Sequence, residues 1–149
     1  RIKLKTENLV KKFSNNFLIL RIGNVYDKKL TKKGFLNNLL NAVKNNKILK
    51  VNKIESVRNY IHIYDLIRII KMIIDKKLFN LTLNIGHQNV SNKKMITIFS
   101  KIYKKKIKIN NLSKSYFLDP NIKLNKNFIV KKLNYKFKNN IENTIKSNK

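Results

Sequence analysis

Three short apolar runs, FLILRI (17–22), YIHIY (60–64) and LTLNI (81–85), are each followed by a stretch whose apolar residues recur at three and four. Five or six consecutive apolar or β-branched residues suit a buried strand, whereas a period near 3.6 suits a helix with one buried face. The helical stretches run over 31–46 (Phe35, Leu36, Leu39, Leu40, Val43), 65–76 (Leu66, Ile69, Ile70, Ile73) and 91–104 (Met95, Ile98, Phe99, Ile102). Asp65 and Ser91 stand where helix N-caps are expected. Shorter strands are expected at 48–51 and 107–109. A partial stripe of Leu4, Leu9, Val10 and Phe13 predicts a helix before the first strand, and two short helices near 125–133 and 138–147 are expected to close the chain. Strands that alternate with helices pair in parallel through crossovers, so the predicted fold class is α/β.

Composition narrows the chemistry. Without cysteine there is no disulfide, thiolate or Cys-ligated metal, and with only His62 and His87 no His-rich metal site is expected. No apolar run approaches the roughly 18 to 20 residues of a membrane span, and no signal or transit segment is visible, so a cytoplasmic, membrane-free protein is expected. The chain begins at Arg1 rather than Met, which points to a sequence incomplete at its N-terminus.

The formal net charge of +28 invites a nucleic-acid reading, because clustered cations release counterions from a phosphate backbone. Only Arg1, Arg21, Arg58 and Arg68 are arginines, however, and Arg is the residue suited to bidentate phosphate and base contacts. Lys, Asn and Ile make up about half of the chain, and the lysines are spread along its whole length. The expected result is a basic surface that steers anionic metabolites, with no nucleic-acid partner; a basic nucleic-acid-binding module is the rival reading.

Four motifs combine polar groups with strand or helix ends. Lys3 and Glu7 sit four apart in KLKTE, the spacing of a weak helix pair. Asn24, Val25 and Tyr26 follow a buried strand, where ligands bind in open α/β sheets, although Gly23-Asn24 also suits a plain turn. In RNYIHIYDL (58–66), Arg58 can clamp a phosphate with its fork. His62 alternates with Ile61 and Ile63, as a structural histidine does. LNIG followed by Val90-Ser91 reads as strand, turn and capped helix.

Taken in order, these segments resemble the C-terminal part of the NAD-dependent epimerase/dehydratase family, the extended short-chain dehydrogenases that act on nucleotide sugars. KLKTENLV (3–10) is similar to the helix of the family's Tyr-x-x-x-Lys pair. LRIGNVYD (20–27) is similar to L-R-x-x-N-V-Y-G, and RNYIHIYDL to R-D-Y-I-H-V-x-D-L. GFLNNLLNAVKNNKILKV (34–51), LNIG with VSNKKMITIFSKI, and Asp119-Pro120 with KLNY (132–135) follow the family's order. Asp27 replaces the glycine of N-V-Y-G, Asn59 the Asp of R-D-Y, and Asn134 the glycine of L-G-[WY/F]. No Arg lies between Ile109 and Asp119, where many members place a second phosphate-binding Arg; Lys114 is the substitute available.

The resemblance implies a Rossmann-like doubly wound parallel sheet with a small α/β substrate-binding subdomain. Residues 1–30 would end the dinucleotide-binding domain and 31–149 would form mainly the substrate-binding subdomain, with 58–76 returning to the Rossmann sheet. It also implies hydride transfer to NAD, with NADP possible, through a keto-sugar intermediate on a nucleotide-diphosphate sugar. Lys3 would be the catalytic lysine, holding the nicotinamide ribose and lowering the pKa of a Tyr two residues upstream of Arg1. Ile22 and Val25 would touch the nicotinamide side. Asn24, Asn38, Leu39 and Arg58 would bind substrate. A homodimer is implied for the full-length enzyme, and inactivity for these 149 residues alone. A family member that has lost catalysis is a further alternative.

Overall fold

The computed structural model describes residues 2–30, 34–111 and 121–149. The start of the helix expected at 31–46, Lys114, and the Asp119-Pro120 segment lie outside the described residues. Helix α1 (Ile2–Phe13) leads to β1 (Leu18–Ile22) and, after Gly23, to β2 (Asn24–Tyr26). Next come α2 (Phe35–Asn45), β3 (Leu49–Val51), β4 (Val57–His62) and α3 (Ile63–Asp75), then β5 (Leu81–Ile85), β6 (Gln88–Ser91), α4 (Asn92–Tyr103) and β7 (Ile109–Asn111). A π-helical turn at Phe128–Lys132 and α5 (Ile141–Lys146) follow.

Pairing is mainly parallel. β1 runs beside β5 from Leu18↔Leu81 to Ile22↔Ile85, β2 beside β4 from Asn24↔Tyr60 to Tyr26↔His62, and β3 beside β7. β6 adds antiparallel to the other edge of β4, with Arg58 opposite Val90. The architecture is α/β, as the alternating pattern predicts. β6 was not expected: Gln88-Asn89 carries no strand propensity and is held by pairing with β4.

Two apolar cores divide the molecule. One gathers α2, β3, α4 and α5 around Leu39, Leu49, Met95, Phe99 and Ile145, all at most 2% exposed. The second packs α3 (Ile69, Ile73) against β4 and β5 (Ile61, Leu83, Ile85) and the C-terminal Ile129, Leu133 and Tyr135. Helix α1 contributes to neither, since none of its residues is buried. Among the described residues no helix is long and apolar enough to cross a membrane.

Several local expectations are corrected. The strand expected at 60–64 ends at His62, and α3 begins one residue later. His62, not Asp65, is its N-cap: the His62 Nδ1 accepts from the Tyr64 N–H at 3.2 Å. Asp65 lies inside the first turn with no exposure, and its carboxylate closes the C-terminal segment instead. It accepts from Tyr135 Oη at 2.6 Å, from the Lys138 and Asn139 N–H groups at 3.1 and 3.0 Å, and from Asn139 Nδ2 at 3.0 Å. The edge strand expected at 107–109 is shifted to Ile109–Asn111, because Ile107 is taken into the first core. Ser91 caps α4 as expected, its Oγ accepting from the Lys94 N–H at 3.1 Å. Asn134, at the family's glycine position, has φ 51°, a left-handed conformation that Asn tolerates better than most side chains.

Candidate functional site

The parity of two neighbouring strands builds the site. Residues two apart on a strand share a face, and partners in register point the same way. The register Asn24↔Tyr60 therefore puts Asn24, Tyr26, Arg58, Tyr60 and His62 on one face of β2 and β4. A cleft of ≈ 330 Å³ opens beside that face, at the low end of the range for small-molecule sites. Its remaining walls are the first turn of α2 (Gly34, Phe35, Leu36), Leu30, the end of β3 (Lys50, Val51, Asn52), Asp27, and Asn92 at the start of α4. The cleft runs along the whole of β2 to Asp27, beside the amino-terminal half of β4 at Arg58 and Tyr60, and past the carboxyl end of β3 at Asn52.

Asn92 has a clear local duty. It is buried, its Nδ2 donates to the Lys53 carbonyl at 2.9 Å, and its N–H donates to the Ser56 carbonyl at 2.9 Å. These bonds fix the 52–56 loop that brings Asn52 to the cleft. On the floor, burial pushes the Tyr60 hydroxyl up to about 12 despite the opposing charge of Arg58, so it stays a neutral donor at physiological pH. Burial raises Tyr26 as well, with the Asp65 charge adding to it. His62 packs edge-on against Tyr26, with ring centroids 5.1 Å apart. Burial lowers the His62 pKa, against the pull of Asp65 and Asp27, which keeps Nδ1 free to cap α3.

The opposite face of β4 explains two glycines. Asn59 points between Gly23 and Gly86, and a Cβ on either glycine would collide with its Oδ1. Asn59 Nδ2 donates to Asn89 Oδ1 at 2.8 Å, while Oδ1 is buried without a partner.

Of the residues singled out from sequence, the cleft brings together Asn24, Val25 and Arg58. Lys3 is exposed on α1, and Ile22 is 43% exposed at the end of β1. Asn38 is exposed on α2 and Leu39 is in the first core, and neither lines the cleft. The Lys3–Glu7 pair gives way to a different one. Glu7 takes the Arg21 guanidinium in a two-pronged contact of 3.0 and 2.6 Å, tying α1 to β1. Arg21's hydrogen bond holds the Glu7 carboxyl below its ordinary range. Asp27, Lys50, Asn52, Tyr60 and Asn92 were missed as cleft residues. The parity of Arg58 and Tyr60, and the position of Asn52 just past a strand end, were the available signals.

Fold and cleft together describe an α/β protein with a polar cleft beside parallel strands. Residues 2–86 match the family model described as NAD dependent epimerase/dehydratase family. The chain belongs to that family. Among solved structures it is similar to the UDP-glucuronic acid 4-epimerase of Bacillus cereus, in complex with UDP-glucuronic acid and NAD (23% identity, TM-score 0.81, 98% of this chain and 49% of that one). It is similar as well to the dTDP-glucose 4,6-dehydratase of Bacillus anthracis, in complex with NAD (16%, TM-score 0.76, 98% and 47%). A third is the UDP-glucose 4-epimerase of Thermotoga maritima with UDP-glucose (18%, TM-score 0.68, 98% and 48%). The chain thus spans about half the length of these structures. No curated protein matches it.

Proposed function

We propose that these 149 residues are the C-terminal part of an NAD(P)-dependent nucleotide-sugar epimerase or dehydratase, with its substrate-binding subdomain. The observation that carries the reading is the cleft holding Asn24, Lys50, Arg58 and Tyr60 beside parallel strands, in a chain of this family. The ligands named for the three similar structures, UDP-glucose, UDP-glucuronic acid and NAD, support it. Arg58 and Asn24 would contact the diphosphate, Arg58 through its planar fork. Asn38 and Leu39 lie off the cleft, so on the α2 side we assign substrate contact to the first turn, Gly34 and Phe35.

Near β1, we assign one end of the dinucleotide to the surface that α1 and β1 present. Lys3 is exposed on a helix tied to β1 by Glu7–Arg21, and Ile22 leaves apolar surface open at the strand's end. Lys3, Ile22 and Val25 would hold the nicotinamide-ribose end; NAD, when bound, supplies the hydride acceptor. Lys3 would position the ribose and lower the pKa of the catalytic Tyr by its charge. Residues 1–30 then belong with the dinucleotide-binding domain and 31–149 mainly with the substrate-binding subdomain, with 58–76 returning to the sheet. That last assignment is supported by α3, which packs beside β5 in the second core. No Gly-rich dinucleotide loop is present in these residues. We therefore propose nucleotide binding without turnover by this chain alone.

Isothermal titration of the chain with UDP-glucose tests this. Saturable binding is expected, with Arg58→Ala weakening it about tenfold or more, the effect of losing a charge-assisted bond. No saturation by UDP-glucose, UDP-glucuronic acid or dTDP-glucose would contradict the reading.

A further inference from the structure

We propose that Asp27 is a specificity residue of this cleft, its carboxylate accepting hydrogen bonds from hydroxyl groups of the bound nucleotide sugar. The inference rests on the nucleotide-sugar reading above and deepens it. Asp27 lines the cleft one residue beyond β2. Its Oδ1 is buried and takes no hydrogen bond. The other oxygen, Oδ2, is neither bonded nor enclosed, and among the described residues no cation lies within ion-pair distance of the carboxylate.

An acceptor oxygen shut off from water without a donor is costly, and Oδ1 gains when a ligand brings that donor. Ionised Asp is an acceptor only. It cannot bind a phosphate oxygen and repels one, so within a cleft that also holds Lys50 and Arg58 it divides the labour. The two cations suit the diphosphate, and Asp27 suits the neutral, donor-rich part of the ligand. Vicinal hydroxyls of the ribose and of the hexose have this chemistry in common.

Titrations of the wild-type chain, Asp27→Asn and Asp27→Gly with UDP-glucose, UDP and inorganic pyrophosphate separate the outcomes. Asp27→Asn is expected to weaken UDP-glucose about tenfold, as for a lost hydrogen bond to a charged group. Pyrophosphate is expected to bind about two- to threefold more tightly once the negative charge is gone. Asp27→Gly should show the same opposite pair of changes. If UDP weakens as much as UDP-glucose, the hydroxyls are those of the ribose; if UDP is unaffected, they are those of the hexose. Either supports the proposal. UDP-glucose bound as tightly by Asp27→Asn as by wild type overturns it while leaving the nucleotide-sugar reading in place. Loss of pyrophosphate and UDP-glucose together in both variants shows a structural role and also overturns it. Should the wild type bind neither nucleotide, the functional reading falls and this proposal falls with it.

Discussion

Helices α1 and α4 have the same length, twelve residues, and both set an apolar stripe among lysines. Their fates differ. α4 is capped by Ser91 and buries Met95 and Phe99 completely. α1 buries nothing, with Ile2 82% and Phe13 74% exposed, and its one charged tether to the rest of the described molecule is Glu7–Arg21. Periodicity marks the face a helix offers; whether that face is covered depends on what surrounds it. α4 packs against α2, β6 and α5, whereas no contact of that extent among the described residues involves α1.

Substitutions can break or sharpen this contrast. Phe99→Ala should cost about 3–5 kcal/mol in denaturant unfolding, the usual penalty for emptying an aromatic core position. Gly86→Ala, at the turn that feeds β6 and α4, should cost about 1–3 kcal/mol, because the new Cβ must displace the Asn59 carboxamide. Ser91→Ala should remove about 1 kcal/mol by leaving the Lys94 N–H uncapped. Phe13→Ala, the counterpart on α1, should change stability by less than about 0.5 kcal/mol. A loss there as large as that of Phe99→Ala would show that α1 is packed in solution and would end the comparison.

Acid separates the regions by pH window, the direction being the same in each. Burial lowers the His62 and His87 pKa values in the fold, so their neutral forms favour the folded state. That contribution is complete above 6.5 and is lost as pH falls from there through the folded values. Melting temperature should therefore drop on acidification below about 6.5, and His62→Asn, which keeps a capping acceptor but does not titrate, should flatten part of the drop. At Asp65 burial alone would raise the pKa, but the bonds from Tyr135, Asn139 and Lys138 outweigh it and hold the carboxyl low. Its contribution is present above 3.8 and is lost as pH falls further. Glu7 is likewise lowered, so α1's tether loosens only below 4.5, after the α3 cap has begun to weaken. Amide exchange followed against pH along the two helices checks that order.

Much of the scaffold was legible in sequence. The runs at 17–22 and 81–85 became β1 and β5, and the stripes became α2, α3 and α4, because their apolar residues face real cores. The α3 boundary was misread because Asp is a strong capping residue; here long-range bonds to the 135–139 segment claim Asp65, and the preceding His62 caps instead. Part of the cleft was legible too: Asn24, Val25 and Arg58 lie on strands whose polar residues stand out. Lys50, Asn52 and Asp27 were hidden because a lysine, an asparagine or a loop aspartate looks the same in sequence whether it faces a ligand or bulk water. Only the register of β2 on β4 and the approach of β3 separate those cases.

The most direct measurement is hydrogen exchange with and without saturating UDP-glucose, read along the whole chain. Slower exchange is expected over 24–27, 50–52 and 58–60, with residues 2–13 unchanged. Protection of 2–13 with none around the cleft would contradict the assignment of this cleft to the nucleotide sugar.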